Sequence, residues 1–559
     1  MKEAQKAEAI RLSLAGLRPC QIMDVMEKSH GGAPGAAGFL CQDMYNFIAR
    51  QKKEKVHGSD AEYVLNFMDG KKEEDPEFFF KYNKDDEGRL QNIFWSDSQS
   101  QVDYEAFGDV VVFDSTYRVN RYNLPFVPFV GLDNHRKTVM FGCGILSNET
   151  VASYVWLLQA FLEAMRQRHP RSVITDGDLA MAKAIEVMMP GADHRLCSWH
   201  IEQNMVKRLR GNKLKEFRRF IYTHMDVEQF EREWAEYRSR HKITENDLWM
   251  GMLYELRKKW STAYTKGRYF LGMVSNQRSE SLNARLHKHL ERRMSLIDLV
   301  EHFQACTVST RRRQIELDAQ AQHGVKFTDR SADPFEKRVA RIFTPDMFPK
   351  VKEQVRRLHK WKVTEVTLDN GFLLHEVSSI ENTSRRVQVR CTFEGALLVN
   401  ATCQCRMMES EAIACGHIFC VLRHNNVVEE IPAFCISLRW TKEAKKAFQT
   451  ELGISTQVWS EQMDRFHALR NKGNCALFKA SKSEAETERV MQFFDGIMSK
   501  EIENNGSAHA TSFGPLPTHF SAAHRSSTSG VLDPKKIISK GAPSLRKRWK
   551  AYPEFWRTN

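Results

Sequence analysis

Apolar positions recur at helical spacing from the first residues of the chain. Lys6 to Leu17 carries such a stripe, and Pro19 followed by CQIMDVM begins a second helical pattern. SHGGAPGAAG reads as a Gly/Ala loop, and DGKKEEDPE as a charged linker that ends at FFFKYN. From about Gly88 the period shortens. QNIFWSD, DVVVFDSTY, LPFVPFVGLD and TVMFGCGILS are short apolar runs bounded by turn residues, which predicts strands. Thr150 to Met165 follows as an amphipathic helix with Thr150 as cap, then the strand RSVITDGD, the helix LAMAKAIEVMM and a last short strand, DHRLCSWH. Hairpins first and βαβ afterwards predict a mixed sheet covered by helices.

Residues 201–275 return to helical spacing, rich in aromatic and basic side chains. Ser295 is positioned to cap a long helix, LIDLVEHFQACTVSTRRRQIELDAQ, and RRVQVRCTF and ALLVNATCQC read as strands. From Asn505 the composition turns to Ser, Gly, Pro, His and Ala, which predicts a disordered tail with a basic end. No internal repeat breaks this order.

Composition adds three constraints. With 42% hydrophobic and 27% charged residues over 559 positions, the chain has material for several packed domains. No apolar run approaches membrane-spanning length and the N-terminus has no apolar secretory core, so the chain is expected to be neither membrane-inserted nor secreted. Its 12 cysteines are then expected in a reducing compartment, where Cys/His clusters point to metal rather than disulfides. The net charge of +13 suits a nucleic-acid partner. From Asn505 onward there are nine basic and two acidic residues, so more than half of that charge lies in the last tenth of the chain.

Candidate chemistry concentrates in four places. DVVVFDSTY delivers Asp114 at the end of a strand buried on both faces, and RSVITDGD delivers Asp176 in the same way. A buried carboxylate needs a cationic partner, and two of them suit a hard divalent ion. Glu280, in SNQRSESLN, is the candidate third acid. The bland alternatives are a turn or cap for each Asp, as for Asp178, and a solvated helix face for Glu280. The order of strand Asp, hairpin strands, helix, strand Asp, helix and later helical Glu is ribonuclease-H-like, and it favours the grouping. Mg²⁺ or Mn²⁺ is expected there only if the triad is active.

Second, ATCQCRMMESEAIACGHIFCVLRHN spaces Cys403, Cys405, Cys415 and His417 as C-x-C, nine residues, C-x-H. Four soft or borderline ligands in two close pairs suit tetrahedral Zn²⁺. Cys420 is expected to pack on the helix that follows. The pair Cys197 and His200, in CSWH, offers half of a further site that His194 could assist. Third, VKRLRGNKLKEFRRF carries Lys207, Arg208, Arg210, Lys213, Lys215, Arg218 and Arg219, able to neutralise phosphates unless it is merely a solvated helix face. Fourth, Lys535 and Lys536 with Arg546, Lys547 and Arg548 form a bipartite basic pattern of the nuclear-import kind.

The stretches FFFKYNKDDEGRLQNIFWSDSQSQVDYEAFGDVVVFDSTYRVNRYNLPFVPFVG, HRLCSWHIEQN and NQRSESLN, with the C-x-C…C-x-H finger, resemble the plant far-red-impaired-response and far-red-elongated-hypocotyl family and its related-sequence members. The resemblance runs from about Leu12 to Trp440, and the helical insertion contributes Trp234, Trp249, Tyr254, Arg257, Trp260 and Tyr264. It implies transcription regulators of light-controlled development derived from Mutator-like transposases, with a SWIM-type zinc finger. It also implies a nuclear location, DNA as partner and association with family members. The family's N-terminal WRKY-like finger has no counterpart in the first 90 residues, which hold only Cys20 and Cys41.

The expected architecture is therefore mixed α/β. A helical region, 1–87, precedes a ribonuclease-H-like transposase domain, 88–290, interrupted by a helical insertion at about 201–275. A helical connector, 291–360, leads to the SWIM region, 361–440, a helical region, 441–504, and the tail, 505–559. The expected function is regulatory, with no enzymatic activity. An active transposase and a shortened form that pairs with full-length relatives are the alternatives.

Overall fold

The structure is a computed structural model. It describes residues 1–14, 19–29, 37–55, 59–115, 120–223, 225–275, 294–322, 333–369, 371–395, 397–427, 430–445, 485–493 and 530–537, with Ser483 and Gly496. The described residues of Met1–Ala444 and Thr528–Asn559 form one compact unit, and those of Lys445–Ser527 a second.

The central element is a seven-stranded sheet. Its strands are β1 (Phe79–Lys84), β2 (Leu90–Ser96), β3 (Val110–Phe113), β4 (Phe126–Leu132), β5 (Thr138–Ile145), β6 (Ser172–Thr175) and β7 (Asp193–Leu196), in the spatial order β1-β2-β5-β4-β3-β6-β7. β3, β4 and β5 pair antiparallel, whereas β6 and β7 add parallel to β3. That five-strand order, 5-4-3-6-7, is the mixed sheet of a ribonuclease-H-like core. The strands are wholly apolar where they are covered on both faces: every residue of β3 and β4 is buried. Helices Ser98–Phe107, Val151–Ala164 and Leu179–Met188 supply the crossovers. Asp97, Thr150 and Asp178 cap them, each side chain accepting a backbone N–H three residues on.

Ser295 behaves as its sequence context predicts. Its hydroxyl accepts the N–H of Asp298 at the start of helix Leu296–Gln322. Three expectations are corrected. The charged stretch DGKKEEDPE is not a linker, since most of it ends helix Asp60–Glu74, and FFKYN is part of edge strand β1. The SWIM region, whose first strands the sequence pattern places at RRVQVRCTF and ALLVNATCQC, opens earlier with β8 (Trp361–Asp369) and β9 (Phe372–Ser379). The predicted disordered tail contains a docked segment, Gly530–Ile537, with Val531 fully buried and Leu532 bridged to Arg89.

β8, β9, β10 (Arg386–Glu394) and β11 (Leu397–Cys403) form a separate antiparallel sheet in the order β11-β10-β9-β8. Helix Gly416–His424 packs its apolar residues Ile418, Phe419, Val421 and Leu422 into the same core as Val377, Val389 and Cys391 of this sheet. Just beyond, Arg439 and Trp440 tie the small sheet to the large one. The Arg439 guanidinium donates to Asp109 Oδ2 (2.8 Å) and to the Leu132 carbonyl (2.5 Å) and lies over the Phe107 ring. The fully buried Trp440 indole donates to the Glu411 carbonyl (2.9 Å).

Candidate functional site

β11 ends on Cys403, so the strand itself delivers the first sulfur. The chain then turns: Arg406 N–H donates to the Cys403 carbonyl (2.8 Å), and Arg406 adopts a left-handed backbone, φ 55°. This turn brings Cys405 back beside Cys403. Cys415 and His417 arrive at the start of helix Gly416–His424, one residue before it and one turn-position into it. Between them Gly416 sits so close to helix Phe348–Arg357 that a Cβ would lie 2.8 Å from Arg357 Cβ and 3.1 Å from the Gln354 carbonyl oxygen.

The four donor atoms all lie within 4.8 Å of one another. The Cys403 Sγ–His417 Nδ1 separation is 3.6 Å. A tetrahedron with zinc–sulfur near 2.3 Å and zinc–nitrogen near 2.05 Å has an S–N edge of about 3.6 Å, so the pair already stands at coordination spacing. The sulfurs accept backbone donors in addition. The Cys405 N–H points to Cys403 Sγ at 3.5 Å, and the Met407 N–H points to Cys405.

The thiols also show what the cluster needs. Hydrogen bonds from Cys403 and then Cys415 push the Cys405 thiol far below its ordinary range. Its neighbours move the opposite way. Cys403 is pushed up to about 12, chiefly by its bond to Cys405, and Cys415 is raised by its bonds to Cys403 and Cys405. Two buried thiols and one half-buried thiol thus crowd together, where negative charge on one opposes it on the others. Three thiolates together require a dication among them, and this donor set fits Zn²⁺. His417 turns Nδ1 to the sulfurs, while its ring meets Trp361 edge-on at 4.3 Å. Zinc bound here would cross-link β11 to the following helix, with no open position for a reactant. Cys420 lies apart and packs, its Sγ donating to the Trp361 carbonyl.

The second constellation sits on the large sheet. β3 and β6 are adjacent and parallel, with Val110 opposite Ser172 and Val112 opposite Ile174. Continuing that register places Asp114 beside Asp176, one residue past each strand, at the strand spacing of about 4.8 Å. Both are buried. Asp176 Oδ1 accepts the Asp178 N–H at 3.0 Å. Sequence reasoning missed Glu149, which joins this end of the sheet. It accepts from the Ser115 hydroxyl (2.5 Å) and from the buried Tyr154 hydroxyl (3.2 Å). Burial raises the Tyr154 phenol well above its ordinary range, and the charges of Asp178, Glu149 and Asp176 raise it further. Only its place just before the helix cap Thr150 could have pointed to Glu149. Glu280 lies outside the described residues. Two side-by-side carboxylates offer part of a divalent-cation site, and among the described residues only the Cys403 group gathers three or more donors.

The remaining candidates separate. Cys197 is buried just before helix Ser198–Val206, and His200 lies on that helix. No described third ligand gathers with them. His194 hydrogen-bonds Thr175 Oγ1 (2.8 Å), and burial, then Lys259, push it down to about 3, so it is a neutral core residue. On helix Gly211–Tyr222, Arg218 pairs with Glu202 (2.7 Å) and Arg219 with Glu233 (3.2 Å), while Arg208 lies over the Trp249 ring (4.6 Å). Lys207, Arg210 and Lys215 are exposed and Lys213 is half-buried, so the basic surface is narrower than the sequence implies. Lys535 and Lys536 are exposed on the docked segment, with Lys535 paired to Glu87. Arg546, Lys547 and Arg548 lie outside the described residues.

Comparison with known proteins follows the same division. The MULE transposase domain family matches residues 110–204, from the start of β3 into helix Ser198–Val206. Protein FAR1-RELATED SEQUENCE 5 of Arabidopsis thaliana is 28% identical over 481 residues, covering 84% of this chain and 60% of that protein. Protein FAR1-RELATED SEQUENCE 4 of the same plant is 29% identical over 471 residues, covering 83% and 63%. Protein FAR-RED IMPAIRED RESPONSE 1 is 26% identical over 451 residues, covering 80% and 54%. The chain thus spans about six-tenths of the length of the first two of these relatives. It is similar to the FAR1-related sequences over most of its own length, and its residues 110–204 match the MULE transposase domain.

Proposed function

We propose that this protein is a nuclear, DNA-associated regulator of transcription, with a transposase-derived core and a structural zinc in its SWIM-type finger. The observation that carries this reading is similarity to FAR1-related proteins across 84% of the chain, through the core and the zinc cluster alike. The division of labour follows from the geometry. Cys403, Cys405, Cys415 and His417 hold the small sheet to its helix, while Arg439 and Trp440 hold that module to the large sheet. Exposed cations such as Lys207, Arg210 and Lys215 attract phosphates without reading bases. DNA binding by this chain is then salt-sensitive and weakly selective, and selectivity comes from partners, family members included. Lys535, Lys536, Arg546, Lys547 and Arg548 serve nuclear import.

The second reading is an active transposase, and the observation in its favour is the in-register pair Asp114 and Asp176 at adjacent strand ends. The test is strand transfer by purified protein with Mg²⁺ or Mn²⁺ on candidate element ends, with Asp114→Ala as control. The regulatory reading expects no product above the control. Product that disappears with Asp114→Ala overturns it.

A further inference from the structure

We infer that the cleft formed by Ser59–Ala61, the Gly88–Leu90 turn and Arg121–Asn123 is a peptide-docking site, and that its ligand is the chain's own segment 530–537. The peptide class is an extended strand bearing a buried apolar residue, one outward-facing residue, then Asp-Pro, then a basic residue.

The segment is bound as a peptide ligand is bound. Its backbone adds to the hairpin turn: the Leu90 N–H donates to the Leu532 carbonyl (3.0 Å) and the Leu532 N–H to the Gly88 carbonyl (3.1 Å). The side chains alternate in use. Val531 is fully buried in the main core and Pro534 is buried, whereas Leu532 is half-exposed. Asp533 supplies the polar anchor. Its Oδ1 accepts from the Ser59 hydroxyl (2.7 Å) and from the Ala61 N–H (3.0 Å), at the first turn of helix Asp60–Glu74. Its Oδ2 accepts from the Tyr122 hydroxyl (2.8 Å) and lies 3.7 Å from the Arg121 guanidinium. Burial acts to raise the Asp533 carboxyl, but these donors outweigh it and hold the group below its ordinary value. At the far end the Ile537 N–H donates to the Tyr122 carbonyl (2.9 Å), and the Asn123 side-chain amide donates to the Ile537 carbonyl (2.8 Å). Lys535 pairs with Glu87.

Every receptor residue comes from the first 123 positions, and the ligand from beyond 530. Ser59 and Asp533 are 474 positions apart. The receptor cluster is itself part of the fold's interior. Arg121 also pairs with buried Asp60 (3.1 Å), whose carboxylate accepts the Leu296 N–H (2.7 Å), and the Arg121 N–H donates to the Met294 carbonyl (2.8 Å). Because β3 and β4 are antiparallel neighbours, residues 120–125, which lead into β4, lie at the sheet end that carries Asp114 and Asp176. The docked segment therefore places Lys535 and Lys536 near that end.

The test uses the full chain with a protease site inserted between Asn505 and Gly506. After cleavage, the fragment from 506 onward is expected to co-elute with the body at micromolar concentration. A labelled peptide of residues 528–540 is expected to displace it. The same peptide with Asp533→Ala is expected to bind on the order of 10- to 100-fold more weakly, the effect of removing a carboxylate from several donors. Tyr122→Phe on the body is expected to weaken native peptide several-fold and to affect the Asp533→Ala peptide little. Separation of the native fragment at micromolar concentration, failure of the peptide to displace it, or equal binding of the two peptides would each overturn the inference.

Discussion

Two helical glycines should respond to alanine in opposite directions. Replacing a helical glycine normally stabilises a protein, because glycine loses more backbone freedom on folding, by about 0.5–1 kcal/mol. Gly70, in helix Asp60–Glu74, has no atom within 4 Å of where a Cβ would stand, so Gly70→Ala is expected to gain about that amount. Gly416 is different. Its added Cβ would stand 2.8 Å from Arg357 Cβ and 3.1 Å from the Gln354 carbonyl oxygen. Neither is the free end of a flexible side chain, so the two helices must separate. Overpacking of this kind costs about 1–3 kcal/mol. The shift also moves Cys415 and His417 together, away from Cys403 and Cys405. Most of the cost should therefore appear in zinc affinity, as a loss of about 5- to 150-fold by the usual tenfold per 1.4 kcal/mol. The assay is zinc retention against a graded chelator, with urea unfolding in parallel. Unchanged zinc affinity in Gly416→Ala, or a gain in stability equal to that of Gly70→Ala, would refute the packing argument.

Three further outcomes are expected. Metal analysis of protein purified without chelators should give one Zn²⁺ per chain from the Cys403 group, and chelation should unfold residues of roughly 361–440 before the large sheet, read by hydrogen exchange. Asp97 and Arg311 form a two-pronged ion pair (2.6 and 2.7 Å) whose donors overcome burial and hold the Asp97 carboxyl below its ordinary value. Its contribution is therefore complete above about pH 4 and lost as pH falls through the lowered value, and Asp97→Asn should flatten the acid limb of the stability profile. Finally, joint replacement of Lys207, Arg210 and Lys215 by glutamine should reduce the salt slope of DNA binding by about 2 to 3, against a smaller change for Arg218 and Arg219, which already face Glu202 and Glu233. An unchanged slope in the triple variant would show that the segment from Lys207 to Lys215 does not meet DNA.

What the sequence made legible was set by local pattern. The continuous apolar runs of β3 and β4 could only be strands covered on both faces, and the two aspartates ending β3 and β6 could be paired once the order of elements was fixed. The cluster of Cys403, Cys405, Cys415 and His417 was legible because two close pairs at short spacing leave few alternatives. β8 was not. It reads WKVTEVTLD and is largely solvent-exposed, so no apolar face marks it, and its pairing with β9 decides its conformation. β1 opens with aromatic residues after a charged run and looks like the end of a linker. The docked Gly530–Ile537 sits in a Ser/Gly/Pro-rich setting whose composition speaks for disorder. Its partners Ser59 and Tyr122 are more than 400 positions away, beyond any local signal. The ion pairs of Arg218 and Arg219 failed to show for the same reason: their carboxylates lie on neighbouring helices.

The most direct measurement compares transcript levels in cells that express the wild-type chain, the Asp114→Ala/Asp176→Ala double variant, or Cys403→Ala/Cys415→Ala. If this is a regulator resting on a zinc-held fold, the wild type changes a defined set of transcripts, the double aspartate variant changes the same set, and the cysteine variant loses the effect. Transcript changes that vanish with Asp114→Ala/Asp176→Ala, or that survive loss of Cys403 and Cys415, would contradict it.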